Sequence, residues 1–269
     1  MMKARGHAPA PEGKATHGFP ARAGRILLLQ RPEEGQKSRD SLGDPQGGRL
    51  GGHDVMAAPH ATIVNLKRVM TGNGKPDVLA AINFLGLKGI FVEVGTFRGN
   101  FAEQICRSTQ CEKLYCVDPY LSYDDFRDRI NDLDLGAIFE TTKKRLSPFG
   151  ERVSFLRDFS ENGADTLAAG TLDLVYIDAN HQREFVTRDL IAWYPKVRSG
   201  GLLCGDDVVD LAEDQRDNQG NVKIVWQRDE YGKPIAWGTY GVFAAVRDFA
   251  KQNELEYFIS GTQFFFIKP

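Results

Sequence analysis

From about residue 61 onward, short apolar runs alternate with segments whose apolar positions recur every three to four residues. The runs GIFVEVG (89–95), KLYCVDPY (113–120), RVSFLRD (152–158), LDLVYID (172–178) and GGLLCGDD (200–207) are short and nearly continuous in apolar side chains. That pattern predicts strands buried on both faces. Between them, DVLAAINFLG (77–86), NFAEQICRST (100–109), a polar stretch over about 122–147, SENGADTLAAG (160–170), REFVTRDLIAWYPKV (183–197) and TYGVFAAVRDFAKQN (239–253) carry helical spacing. Two last runs, LEYFIS and QFFFIK, are joined by Gly261-Thr262 and predict a hairpin. The alternation implies an α/β fold: a doubly wound, mostly parallel seven-stranded sheet that ends in a C-terminal antiparallel hairpin.

Residues 1–60 lack this texture. They are rich in Gly, Pro, Ala and Arg, as in APAPEGKATHGFPARAG and GDPQGGRLGGHD. Such a segment buries too little apolar area to offset its chain entropy, so 1–60 is expected to be a disordered or weakly ordered tail and 61–269 the folded domain. The first 30 residues hold Arg and few acids, but their amphipathic pattern is too weak to define a targeting peptide.

Composition narrows the partners. Hydrophobic residues make up 42% and charged residues 26% of the 269, and the net charge of −2 offers no polyanion-binding surface. No apolar run reaches the length of a membrane span. Cys106, Cys111, Cys116 and Cys204 form no C-x-x-C pair, so buried thiols in a reducing compartment are expected rather than zinc or disulfides. These readings predict a cytoplasmic protein without nucleic-acid or membrane partners, and leave a homo-oligomer open.

In open parallel sheets ligands lie beyond the carboxyl ends of the strands, so the residues just after each strand carry the chemistry. The first run ends FVEVGTFRGNFAE. A dinucleotide fingerprint wants three glycines; counted from Gly95 its second and third places hold Phe97 and Asn100, which disfavours an NAD-dependent oxidoreductase. No Walker loop is present. The acid-x-Gly-x-x-x-Gly arrangement instead resembles the first motif of the class I S-adenosylmethionine-dependent methyltransferases, a Rossmann-like fold. Gly95 would let the backbone approach a ligand closely, the following helix N-terminus would offer N–H groups to a carboxylate, and Glu93 would face an ammonium. Asp118, ending the second strand, can accept from both ribose hydroxyls. By the resemblance, Glu93, Gly95, Thr96, Gly99 and Asp118 hold the cofactor, while Asp158 and Phe159 frame the adenine. Without a ligand the same residues would form a tight turn and helix caps.

The fourth strand ends at Asp178 and the fifth at Asp206-Asp207. Neighbouring strands would gather three carboxylates at one rim, and their repulsion is relieved by a divalent cation such as Mg²⁺, with Mn²⁺ or Ca²⁺ as alternatives. YIDANHQREF followed by GGLLCGDDV resembles the corresponding strands of metal-dependent O-methyltransferases, of the catechol and caffeoyl-CoA type and of the macrolide-sugar and aminocoumarin-sugar type. The resemblance implies a metal on Asp178, Asp206 and Asp207. It also puts His181 where the catechol type carries its lysine base, and Asn180 where the sugar type carries an aspartate. Histidine suits proton abstraction near neutrality, so His181 with Asp178 is the expected catalytic pair.

The acceptor side is less legible. Residues 208–238 read as a long polar loop with Trp226, Tyr231 and Trp237, suited to a lid, and Tyr120, Tyr123 and Phe126 suggest a second wall. The expected activity is methyl transfer from S-adenosylmethionine to a hydroxyl of a small molecule, with Mg²⁺ or another divalent cation. The rival is a non-catalytic protein that binds the same adenosine ligand on the same fold.

Overall fold

All five internal runs form parallel strands: β1 (Ile90–Val94), β2 (Lys113–Val117), β3 (Val153–Leu156), β4 (Leu172–Ile177) and β5 (Val197–Gly205). The computed structural model describes residues 54–123, 129–209, 217–228 and 230–269. Residues 1–53, most of the expected tail, lie outside the described residues, as does Phe126 of the expected second wall. The C-terminal runs form β8 (Phe258–Ser260) and β9 (Gln263–Ile267), joined by the predicted turn. Strand order is β3-β2-β1-β4-β5-β9-β8, with β9 antiparallel to both β5 and β8. The last strand therefore inserts beside β5, and the shorter β8 takes the sheet edge.

Side-chain alternation explains the two cores. Phe91, Leu114, Leu174, Tyr176, Leu202 and Phe265 point to one face, where they meet Ile63 and Leu66 of α1 (Asp54–Lys67), Ile82 of α2 (Lys75–Phe84) and Ile105 of α3 (Asn100–Ser108). Val92, Val94, Val175, Ile177, Leu203 and Phe264 point to the other, against Ala164 of α5 (Ser160–Asp165), Trp193 of α6 (Arg183–Trp193) and Val246 of α7 (Val242–Gln252). Period-two alternation on doubly covered strands leaves both sets apolar, which is why the runs read as continuous. All four cysteines are free and buried.

The structure corrects three expectations. Helix α1 begins at Asp54, inside the stretch assigned to the tail. The polar stretch at 122–147 is not one helix: a short 3-10 turn at Arg129–Asp132 precedes α4 (Leu135–Leu146), whose start is fixed by the Asp134 carboxylate accepting from the Ala137 N–H at 2.9 Å. Within 208–238, the expected loop contains an antiparallel ribbon, β6 (Val222–Arg228) and β7 (Pro234–Tyr240). Lys223 and Arg228 interrupt β6, Pro234 and Gly238 interrupt β7, and the pair lies in a separate two-stranded sheet, so the ribbon lacks the apolar continuity that marks the strands of the main sheet. Among the described residues no helix is long and apolar enough to cross a membrane.

The crossing of β1 and β4 sets the site. Chain order reverses between them, making their carboxyl ends the switch point of the sheet. Just past β1, Gly95 has φ 88°, and a Cβ there would collide with the backbone of Asp178 and Ala179. Gly150 also has positive φ (55°), but a Cβ would meet nothing. Gly150→Ala is therefore expected to cost only the strain of the left-handed region, about 1–2 kcal/mol. Gly95→Ala should cost clearly more, because strand separation adds to that strain. Urea unfolding of both variants checks the ranking, and equal losses would remove the close approach as the reason for Gly95.

Candidate functional site

At the end of β1, Glu93 lies in register between Cys116 of β2 and Tyr176 of β4 and is 2% exposed. Its Oε2 has no hydrogen-bond partner. Burial, reinforced by the charge of Asp178, pushes its carboxyl up to about 8 against an opposing hydrogen bond from Thr96. A buried carboxyl with an orphaned oxygen is costly unless a cation or donor meets it. The turn that follows passes through Gly95, Thr96 (4% exposed) and Phe97 to Gly99, which caps α3 with φ 68° and no side-chain cap. The amino end of α3 thus keeps backbone N–H groups at the rim.

Asp118 organises the neighbouring strand end. Its Oδ2 accepts from the Phe97 N–H and its Oδ1 from the Tyr120 N–H, each at 2.8 Å. Phe97 and Tyr120 both hold φ 48°, a strained conformation for aromatic residues, and the Tyr120 hydroxyl donates to the Phe97 carbonyl at 2.8 Å. The two strained turns are thus clamped around one carboxylate. Burial raises the Asp118 pKa while the two N–H groups oppose it. Each oxygen keeps a second lone pair for a further donor.

At the end of β3, Asp158 is exposed and accepts from the Phe159 N–H and the Asn162 side chain, both at 2.7 Å. These bonds tie Asp158 to the residues that open α5, which itself has no side-chain cap. Phe159 stands edge-on to Tyr123, ring centroids 5.6 Å apart. Tyr123 also faces Phe185 at 6.3 Å, so the three rings form an aromatic cluster beside the rim.

The ends of β4 and β5 do not present three equivalent carboxylates. Asp178 is shared between two cations: its Oδ2 accepts from the Lys75 ammonium at 2.8 Å, and its Oδ1 lies 3.5 Å from His181 Nε2. His181 Nε2 is also 3.0 Å from Asp207 Oδ2. Asp178, His181 and Asp207 each place a ligand atom within 4.8 Å of the others. Asp206 is oriented elsewhere. Its Oδ1 accepts from the Thr262 hydroxyl at 2.6 Å, the Gln263 amide and the Asp207 N–H, and its Oδ2 faces the Tyr176 hydroxyl at 3.3 Å and Lys75 at 3.7 Å. The converging set is thus two aspartates and a histidine.

Charge follows this geometry. Burial would lower the His181 pKa, but Asp178 and Asp207 outweigh it and push it up to about 10. Between these two carboxylates the imidazole holds its proton more firmly than a free histidine does. Burial would raise Asp178, and His181 and Lys75 overcome it to hold the carboxyl below its usual range. Burial and the charge of Asp178 raise Asp206.

Lys75 was not singled out from sequence. Its signal is local: a lysine at the first residue of α2, beside Pro76, where the helix dipole disfavours a cation. Thr262, Gln263 and Tyr240 were also missed, because only the folded chain brings the hairpin and ribbon to the rim. Tyr240 stacks on His181, centroids 5.0 Å apart and rings within 15° of parallel.

Residues 92–208 match the model of a methyltransferase domain family. An uncharacterised protein of Acanthamoeba polyphaga mimivirus is 28% identical over 128 residues, 45% of this chain. The chain spans about half (52%) of that relative's length. Among solved structures, a Staphylococcus aureus protein put forward as a caffeoyl-CoA O-methyltransferase is 15% identical with a TM-score of 0.49, covering 81% of this chain and 93% of that one. The O-methyltransferase NovP is 15% identical with a TM-score of 0.47, covering 76% and 79%. A Burkholderia thailandensis N1-methyltransferase with bound 1,6-didemethyltoxoflavin and S-adenosylhomocysteine is 10% identical with a TM-score of 0.41, covering 82% and 90%. The matched segment, residues 92–208, carries Glu93, Asp118, Asp178 and Asp206, so the strand ends that build the rim fall within the part of the chain that resembles a methyltransferase domain.

Proposed function

We propose that the protein is an S-adenosylmethionine-dependent O-methyltransferase that acts on a hydroxyl of a small molecule with the help of a divalent cation. The observation that carries the cofactor assignment is Glu93, a carboxyl buried at the switch point with one oxygen unmatched. An ammonium set beside it would satisfy that oxygen. The amino end of α3 faces a carboxylate by the same logic, and Asp118 accepts ribose hydroxyls on the lone pairs its N–H partners leave free. Phe159 offers a ring face for the adenine; Asp158, whose Oδ1 already accepts from the Phe159 N–H and the Asn162 side chain, contributes less than its position suggests.

Bound at the rim, the cofactor supplies an electrophilic methyl group, and a divalent cation supplies acidification of the acceptor hydroxyl. The donor set fits such a cation: the buried Nε2 of His181 lies within reach of two carboxylates yet is hydrogen-bonded to neither. Asp178, His181 and Asp207 would hold it, and a strong base is then unnecessary. Positioning of the acceptor oxygen in line with the methyl group provides much of the acceleration. The net charge of −2 offers no polyanion-binding surface, which fits a neutral or small acceptor.

Calorimetric titration of S-adenosylmethionine into the purified chain tests the reading first. Binding is expected without metal, and Asp118→Ala should weaken it at least about tenfold, since hydrogen bonds to a charged group contribute about 1.5–3 kcal/mol. Methyl transfer to catechols or sugar hydroxyls should then depend on an added divalent ion. Absence of cofactor binding in the parent protein would end the proposal.

Glu93 gives a second prediction. In the unfolded chain it ionises near its ordinary 4.5, and in the folded, cofactor-free protein only near 8. Between those values the folded state keeps a proton the unfolded state has released, so stability falls as pH rises through that window and levels off above it. Glu93→Gln should lack this loss. Its melting temperature should exceed the parent's at pH 9 and match it near pH 4, while its affinity for S-adenosylmethionine drops. A variant less stable than the parent at pH 9 would contradict the buried, ligand-seeking carboxyl.

A further inference from the structure

The rim is asymmetric in a way that bears on which cation it takes. Asp206 is committed to the C-terminal hairpin through Thr262 and Gln263, and its remaining oxygen faces Tyr176 and the Lys75 ammonium. Recruiting it to an ion would break those bonds and set the ion against an ammonium. The lysine is held there by a rigid block. Asp77, one turn edge along α2, accepts from the Thr71 N–H at 3.0 Å, the Gly72 N–H at 2.8 Å and the Ser260 hydroxyl at 2.6 Å. Ser260 belongs to the hairpin that grips Asp206, so the start of α2 and the hairpin are tied together. Lys75 stands at a helix position unfavourable to a cation, and the carboxylates of Asp178 and Asp206 compensate.

The histidine on the other side of Asp178 is fixed with equal care. Tyr240 stacks on its ring, and its carbonyl accepts from the Gly241 N–H at 2.6 Å. Asn221, at the base of the other ribbon strand, accepts from the Arg183 N–H at 2.8 Å. Both ends of the ribbon therefore clip onto the 181–183 segment. They leave Nε2 buried and 3.0 Å from Asp207 Oδ2 without hydrogen-bond alignment.

We propose that the cation site consists of Asp178 Oδ1, His181 Nε2 and Asp207 Oδ2, that Lys75 and the hairpin hold Asp206 out of it, and that it therefore favours an imidazole-accepting cation of the Mn²⁺, Co²⁺ or Zn²⁺ class over Mg²⁺. This departs from the three-carboxylate site that the family resemblance implies. One nitrogen and two carboxylates suit those ions, whereas Mg²⁺ favours oxygen alone. Lys75 acts as a positioning residue: it fixes the far oxygen of Asp178 so that the near one faces His181 and Asp207. The inference rests on the methyltransferase reading for its purpose, but ion binding is measurable without cofactor or acceptor.

The test uses the full chain, stripped with EDTA and titrated with Mn²⁺, followed by electron paramagnetic resonance. Pulsed spectra of the Mn²⁺-loaded protein should show modulation from a directly bound ¹⁴N, and His181→Gln should abolish it. Asp206→Asn should keep the modulation and bind Mn²⁺ within about threefold of the parent, while Asp207→Asn should weaken binding at least about tenfold, the scale seen when ligand-shell residues are lost. Asp207 has φ 61°, which asparagine tolerates, and circular dichroism verifies that each variant folds. Mg²⁺ should displace Mn²⁺ far less readily from the parent than from His181→Asp, which restores an all-oxygen set. Missing ¹⁴N modulation in the parent, or equal losses in Asp206→Asn and Asp207→Asn, would overturn the assignment. Failure to bind Mn²⁺ at all would overturn it too, and if S-adenosylmethionine still bound, the cofactor reading would stand.

Discussion

Everything at the rim depends on the close approach of β1 and β4. Only a glycine at position 95 lets the chain leaving β1 pass against the backbone of Asp178. That contact puts the carboxyls of Glu93 and Asp178 on adjacent strand ends, with Asp118 and Asp206 on the next strands out. The sheet concentrates negative charge where solvent is scarce, and such charge must be protonated, paired or met by a cation. The three solutions are distributed. Glu93 keeps its proton, Asp178 shares Lys75 and His181, and Asp118 is held by backbone N–H groups.

This distribution divides the rim. At the end of β1, Glu93 stays buried with one oxygen unmatched. At the ends of β4 and β5, Lys75 and His181 divide the aspartates into a sealed half around Asp206 and a convergent half around Asp207. Strain gathers in the same region: among the described residues, three of the four non-glycine residues with positive φ, Phe97, Tyr120 and Asp207, stand at the rim, and the fourth, Glu254, follows α7. Clamped turns of this kind fix side chains before any ligand arrives, so less ordering remains to be done on binding.

Much of this was legible from sequence, and the limit is physical. Doubly buried strands write themselves as continuous apolar runs, so β1 to β5 and their terminal acids could be located directly. Gly95 and Asp118 were singled out because each sits one position past a strand end, and Glu93 because it is an acid within the apolar run of β1. Gly95, though, answers to the neighbouring strand as well as to any ligand. Lys75 was passed over because its local signal, a lysine at the first residue of a helix, does not reveal a pairing 103 residues away along the chain. Asp206 and Asp207 looked equivalent as neighbours in sequence. They diverge because Asp207 takes a left-handed conformation that turns successive side chains to different partners.

That divergence explains why adjacency in sequence is a poor guide to ligand sets at strand ends. Leaving β5, the chain departs from extended geometry at Asp207 and its side chains no longer alternate across a sheet, so direction is decided by whatever covers the rim. Here two elements outside the matched methyltransferase segment do the covering: the C-terminal hairpin takes Asp206, and the β6–β7 ribbon, through Tyr240 and Gly241, fixes His181 toward Asp207. The matched segment supplies the carboxylates, and the flanking elements decide which of them face one another.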